Sequence, residues 1–238
     1  MSHSISQDAI NYVKLHQKKL VGDFCSLERY PTSPKPFTIF MAGSPGSGKT
    51  EFSKAYIKQI EFKDPLHKVI RLDVDELREK IPLYTGSNSN EVQPASTILF
   101  DKIFDRIQEN GQNVLVDGTF SSNRSLENVQ RAINRGRSVG IIYLYQNPLI
   151  AWSYTQKREQ LEGRTVPKSV FIKAYFTARI NVNVVKEKFG DKITLDFFEK
   201  DKNNDFEKNA HSDVQSLDDF LKKEYTQDSL EQNLPNSL

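Results

Sequence analysis

One octapeptide constrains this chain more than anything else in its 238 residues. Gly43-Ser44-Pro45-Gly46-Ser47-Gly48-Lys49-Thr50 matches the pattern G-x-x-x-x-G-K-[ST] at every position. A continuous apolar run, Phe37–Ala42, precedes it, as expected of a parallel strand buried on both faces. A helical stretch, Lys49–Ile60, follows. Strand, glycine-rich loop and helix in that order make a phosphate cradle. The glycines let the backbone curl until successive N–H groups point inward. The helix N-terminus adds partial positive charge. In such a loop Lys49 reaches the β- and γ-phosphates of a nucleotide and the Thr50 hydroxyl ligates Mg2+. The bland alternative is a glycine-rich turn that binds nothing.

After the loop, strand-like and helix-like segments alternate. Val69–Leu72, Val114–Val116, Val139–Tyr145 and Ile193–Leu195 read as strands. Helices are expected from about Asp75 and over Pro94–Asn110, Arg124–Arg135, Pro148–Leu161 and Lys168–Lys188, with Gly190 ending the last. This order predicts an α/β fold: a doubly wound parallel sheet of the P-loop NTPase/kinase type, with an N-terminal helix and a polar C-terminal tail. Residues 1–36 are read as the helix and a proline-rich connector, 37–198 as the P-loop domain, and 199–238 as an acidic polar tail. In the leading helix, Ile5–Phe24, the residues Ile10, Val13, Leu20, Val21 and Phe24 fall near one face, which suits a docked helix. The alternative is a helix that silences the site in cis. The tail holds one expected helix, Val214–Tyr225, between polar runs, and reads as a weakly packed appendage.

Composition removes whole classes of function. The net charge is +2, with −5 on the segment from Glu199 onward and +7 on the rest. That balance excludes a nucleic-acid coat and a polybasic membrane binder. The single cysteine, Cys25, makes neither an internal disulfide nor a cysteine-based zinc site. His3, His16, His67 and His211 show no metal-ligand spacing. Met1–Asp8 has no apolar core of a secretory signal, and no apolar run approaches the ~18 residues of a membrane span. A soluble cytoplasmic protein is the expectation.

A phosphate cradle does not name a reaction. The Asn-Lys-x-Asp of guanine readers is absent. The pattern leans toward a small-molecule kinase, in which a carboxylate takes the proton of an acceptor hydroxyl. Asp73-Val74-Asp75 stands at the end of the second strand, the end that borders the ligand crevice in doubly wound sheets. Asp75 is the candidate base, with Asp73 beside it; the bland reading is that Asp75 caps a helix. Asp117 ends the third strand. It suits either a water-mediated Mg2+ contact or an acceptor-binding role, with Thr119 two residues on. Arg158 and Arg164 flank a segment that could fold over the nucleotide and neutralise the transferred phosphoryl group. Arg131, Arg135 and Arg137 read as a solvated helix end, and Tyr143, Tyr145 and Trp152 as core.

These pieces, in this order, resemble the zeta toxins, P-loop kinases of bacterial toxin–antitoxin systems. The resemblance covers about Phe37 to Leu195: Gly43–Thr50, Asp73-Val74-Asp75, Asp117-Gly118-Thr119, and Lys157-Arg158-Glu159 with Arg164-Thr165-Val166-Pro167-Lys168. It implies that Lys49 and Thr50 hold ATP (or GTP) and Mg2+, that Asp75 is the general base, and that Arg158 and Arg164 embrace the γ-phosphate. It implies a sugar-nucleotide acceptor, UDP-N-acetylglucosamine phosphorylated on its 3′-hydroxyl, with Asp73, Asp117 and Thr119 on the acceptor side. An antitoxin protein is the implied partner. Where the family carries Glu this chain has Asp117, and where it carries Gly and Arg after the Thr this chain has Phe120 and Ser121. Two rival readings are a P-loop kinase of another small acceptor (nucleoside, dinucleotide or antibiotic) and a nucleotide-switched binding module.

Overall fold

The computed structural model describes residues 4–163, 165–200, 209–222 and 224–235. Its fold is α/β, with a mostly parallel six-stranded sheet and flanking helices. The chain divides into two compact units. One runs to Phe37 and resumes over Lys54–Asp117; the other holds Thr38–Ser53 and the chain from Gly118 onward. The strands are β1 (Phe37–Ala42), β2 (Val69–Asp73), β3 (Asn113–Asp117), β4 (Ser138–Tyr145), β5 (Ile193–Glu199) and β6 (Ala210–His211). The helices are α1 (Ile5–Phe24), α2 (Lys49–Lys63), α3 (Val74–Arg78), α4 (Ser89–Glu109), α5 (Ser125–Asn134), α6 (Pro148–Glu162), α7 (Lys168–Phe189) and α8 (Gln227–Asn233).

In the first unit, α1 starts where the Ser4 hydroxyl accepts the Gln7 N–H, an ordinary N-cap. Its apolar stripe buries Ala9, Val13 and Val21, and the helix packs on α4. The docked helix is therefore what the amphipathic pattern encodes. The proline-rich connector is tied down by the turn after α4. Gln112 donates Nε2–H to the carbonyls of Cys25 (3.1 Å) and Tyr30 (2.6 Å), and the Ser33 N–H donates to Gly111 O (2.9 Å). Gly111 at φ +63° supplies the left-handed residue that ends α4. Helix α4 begins at Ser89, five residues before the expected start at Pro94. Pro94 stands inside α4, beyond the first turn, where it lacks the N–H for one intrahelical bond. Strands β2 and β3 pair in parallel, with Asp73 opposite Asp117.

In the second unit the strand order is β1-β4-β5-β6, with β4 and β5 parallel and β6 antiparallel to β5. Tyr143 and Trp152 are buried, as the sequence predicts. Two expectations are overturned here. Arg137 is buried rather than solvated, and its Nε–H donates to the Thr38 hydroxyl at 2.7 Å. The described parts of the C-terminal segment are packed rather than loose. Val214, Leu217, Leu221, Leu230 and Leu234 are all buried.

The expected helix at 214–225 does not form; only a 3-10 turn, Leu217–Asp219, stands there. Polar side chains of α7 claim the backbone and capping groups that a helix would use. Asn183 Oδ1 accepts the Leu217 N–H (2.9 Å), and Arg179 donates to Asp218 Oδ1 and Leu221 O, each at 2.7 Å. The helix comes later, as α8, closed by a capping box between Thr226 and Ser229. It seats Leu230 and Leu234 against Trp152 and Phe171. No helix among the described residues is long and apolar enough to cross a membrane.

Candidate active site

The second unit carries the phosphate loop. Gly43, Gly46 and Gly48 have φ of +131°, +75° and +88°. Two of them are also forced by space. A Cβ on Gly43 would stand 2.3 Å from Leu144 O, and one on Gly46 would stand 2.1 Å from Ala151 O. The loop thus lies directly on the ends of β4 and α6, and only glycine fits. Lys49, at the first position of α2, is buried, and its Nζ donates back to Ser44 O (2.6 Å) and Ser47 Oγ (3.3 Å). The ammonium therefore spans the loop where a phosphate chain would lie. Thr50 follows, half-buried, with its carbonyl bonded to the Ser53 hydroxyl (3.0 Å).

Thr119 lies beside this loop, its carbonyl accepting the Gly43 N–H at 3.2 Å. Its hydroxyl shares a 2.7 Å hydrogen bond with Ser121. Between them Phe120 adopts φ +60°, a conformation rare for a bulky residue. Two donors hold it there: Asn181 Nδ2 (2.9 Å) and the Ser125 hydroxyl (3.1 Å) both bond Phe120 O. The ring is buried edge-on to Phe40. The sequence marks Phe120 only as a departure from the family pattern; its left-handed backbone leaves no sequence signature in a non-glycine residue.

Arg158 is half-buried on α6, which Gly163 closes at φ +68°. The Thr165 hydroxyl donates to Glu159 Oε1 on α6 (2.8 Å). Arg164 lies outside the described residues. The Thr50 hydroxyl is a hard oxygen donor of the kind Mg2+ takes. Among the described residues no group of three or more His, Cys, Asp or Glu side chains could hold a metal. That donor set fits Mg2+ carried by nucleotide phosphates and water with one or two protein oxygens.

The first unit carries the carboxylates. Asp73 caps α3, its Oδ1 accepting the Asp75 N–H at 2.8 Å, so the cap role falls to Asp73 and not to Asp75. The Asp75 side chain is 41% exposed and paired with Arg78, which also bonds Gln93 on α4. Asp73 and Asp117 converge on Arg71, whose Nη2 donates to both (2.7 and 2.6 Å). Burial pushes the Asp73 carboxyl up to about 6; the Asp75 and Asp117 charges add to the rise, and Arg71 opposes it. Sequence reading passes over Arg71, Glu76 and Arg78. Arg71 had a signal, a charge inside the apolar run Val69–Leu72 two residues before Asp73 and therefore on its face of the strand.

A family model described as "Zeta toxin" matches residues 24–211. Comparison with curated proteins returns no sequence match. Among solved structures, the chain resembles one from a study of the PezAT chromosomal toxin–antitoxin system of Streptococcus pneumoniae. The TM-score is 0.64 at 19% identity over 92% of this chain and 91% of that one. It also resembles the AvrRxo1-ORF1:-ORF2 complex (TM-score 0.61, 17% identity, 81% of this chain, 65% of that one). A form of that complex with ATP gives a TM-score of 0.60 at 16% identity over 84% of this chain and 65% of that one. At these identities the likeness is one of fold.

Proposed function

The chain belongs to the zeta toxin family, and from that premise we propose that it is a cytoplasmic, Mg2+-dependent kinase that transfers the γ-phosphoryl group of ATP to a hydroxyl of a sugar nucleotide. UDP-N-acetylglucosamine and its 3′-hydroxyl are the acceptor the family favours. The observation that carries the reading is Lys49, buried and folded over a loop in which a Cβ on Gly43 or Gly46 would collide with backbone. The neighbour with ATP has the same fold, which supports ATP as the donor.

The roles follow from chemistry. Backbone N–H groups of Gly43–Thr50 and the Lys49 ammonium bind the phosphate chain and hold it without reorganisation during transfer. Arg158 and Arg164 spread the charge that develops on the moving phosphoryl group. The Thr50 hydroxyl would hold Mg2+, which when bound would supply charge neutralisation at the phosphate oxygens. Asp75 takes the proton of the acceptor hydroxyl as the hydroxyl oxygen bonds to the γ-phosphorus and the bond from that phosphorus to the ADP oxygen breaks, releasing ADP. Asp73, Asp117 and Thr119 make up the acceptor side. An antitoxin protein is the proposed partner, because the PezAT neighbour belongs to a toxin–antitoxin system.

A second reading, a kinase of another small acceptor, draws on Phe120. This residue is buried on the protein side of its segment, where the family carries a small residue and then a cation. Mass spectrometry of a bacterial metabolite extract, incubated with the protein and ATP, separates the two. A gain of one phosphate on UDP-N-acetylglucosamine supports the first reading, and a gain on another metabolite supports the second. Release of free phosphate alone would point to a nucleotide-switched binding module.

A further inference from the structure

Arg71 interrupts an otherwise apolar strand, and its side chain is only 11% exposed. Strand alternation places it on the same face as Asp73. The parallel register sets Asp73 opposite Asp117, so two poorly hydrated carboxylates stand side by side at the strand ends. Without a counter-ion they would repel, and one would protonate. The Arg71 guanidinium meets both. Nη2 donates to Asp73 Oδ2 (2.7 Å) and Asp117 Oδ2 (2.6 Å), Nε donates to Asp117 Oδ2 (3.0 Å), and Nη1 donates to Glu76. Burial works against the charge on Arg71, but the carboxylates of Asp117, Asp73 and Glu76 outweigh it and hold the guanidinium above its ordinary pKa. Exposure ranks the partners. The side chain of Asp117 is 4% exposed, that of Asp73 14%, and that of Glu76 43%. Asp117 is the deep counter-ion, and Asp73 and Glu76 are the members a ligand would meet.

Resting on the kinase reading above, we propose that Arg71 is a positioning residue for the acceptor: backed by Asp117 as buried counter-ion, it fixes Asp73 and Glu76 as hydrogen-bond acceptors for the acceptor's hydroxyl groups. Asp117 then acts through Arg71 and not through magnesium. The ligand part suited to this cluster is a polyol or sugar ring that presents neighbouring hydroxyls as donors. A diphosphate does not suit it, because the carboxylates outnumber the guanidinium. Lysine keeps the charge but not the planar fork that reaches several partners at once.

The test compares the wild type with Arg71→Met, Arg71→Lys, Asp117→Asn and the double variant Arg71→Met with Asp117→Asn, using Mg·ATP and UDP-N-acetylglucosamine as probes. Thermal melts show which variants fold, and Arg71→Lys with Asp117→Asn keep the test alive if Arg71→Met does not. Loss of one charge-assisted contact should raise the acceptor KM about tenfold in Arg71→Met and in Asp117→Asn. The double variant should be no worse than either single one, because both remove one unit. Arg71→Lys should recover part of the loss. The KM for ATP and the Mg2+ requirement for nucleotide binding should stay within about twofold in every variant. Additive losses, an unchanged acceptor KM in folded Arg71→Met, or a raised Mg2+ requirement in Asp117→Asn would each overturn the proposal. If the wild type leaves UDP-N-acetylglucosamine unphosphorylated, that acceptor assignment fails separately. The KM series is then run on whichever metabolite of a bacterial extract the wild type phosphorylates, and a raised Mg2+ requirement for nucleotide binding in Asp117→Asn still overturns the proposal.

Discussion

Leu230→Ala probes whether the C-terminal segment belongs to the folded unit or hangs from it. Leu230 is fully buried in a cluster with Ala151, Trp152, Phe171, Ile172 and Leu234. Helix α8 is only seven residues long, far below the length at which a helix persists alone, so docking is what holds it. Three polar ties accompany the apolar contact. Trp152 Nε1–H donates to Pro235 O (3.1 Å), Lys168 Nζ donates to Leu234 O (2.7 Å), and Lys168 also bonds Glu231 O. A buried Leu→Ala change costs about 2–5 kcal/mol through lost transfer energy and residual cavity. For a chain of this size each kcal/mol lowers Tm by roughly 2–4 °C, so the melt should fall by about 4–20 °C. Leu230 and Leu234 anchor α8 in this cluster, each worth about 1.5–3 kcal/mol on burial, so losing one removes about half of that apolar contribution. The segment should then undock before the rest unfolds. Trp152 is the chain's one tryptophan, so its emission reads this cluster alone. In a denaturant titration of Leu230→Ala, emission should shift to the red before the far-ultraviolet circular dichroism changes. A variant within about 0.5 kcal/mol of wild type, with coincident transitions, would refute the packing argument.

The phosphate loop and Asp73 yield further expectations. Gly46→Ala drives a Cβ to 2.1 Å from a backbone oxygen at φ +75°, so the loop must move; nucleotide affinity should drop more than about tenfold, and an unchanged affinity in a titration with a fluorescent ATP analogue would contradict the tight loop. Asp73 is raised from 3.8 to about 6 in the folded state, so its ionised form is disfavoured there. The stability it contributes is present below the unfolded value and lost as pH rises through about 6, at most about 3 kcal/mol in all. Asp73→Asn should therefore gain on the wild type between pH 4 and pH 7 in urea denaturation, and a difference flat across that range would contradict the shift.

The sequence carried the fold's order well because its signals are local. Phe37–Ala42 and the start of the next helix at Lys49 stand where the apolar run and the glycine loop place them. The same holds for α1, where Ser4 and one amphipathic stripe fix the element. What escaped it depends on distant partners. The leucines at 217 and 221 read equally well as a helix face, and only Asn183 and Arg179 on α7 decide otherwise. Arg137 looked like one more cation of a solvated helix end until Thr38 stood beside it. At the candidate site, the glycine-loop motif pointed to Lys49, and the strand ends pointed to Asp73, Asp75 and Asp117. It could not name Arg71, whose meaning arises only when β2 and β3 pair in register.

The central claim is that this chain moves a phosphoryl group from ATP to a hydroxyl, with Asp75 taking the proton. The direct measurement follows γ-labelled ATP and UDP-N-acetylglucosamine through wild type and Asp75→Ala, with nucleotide binding measured on the same samples. The account expects label on the sugar nucleotide with wild type. It expects Asp75→Ala to bind ATP within about twofold yet lose at least about a hundredfold in transfer, the scale of a lost general base. Transfer by folded Asp75→Ala at close to the wild-type rate would contradict the account.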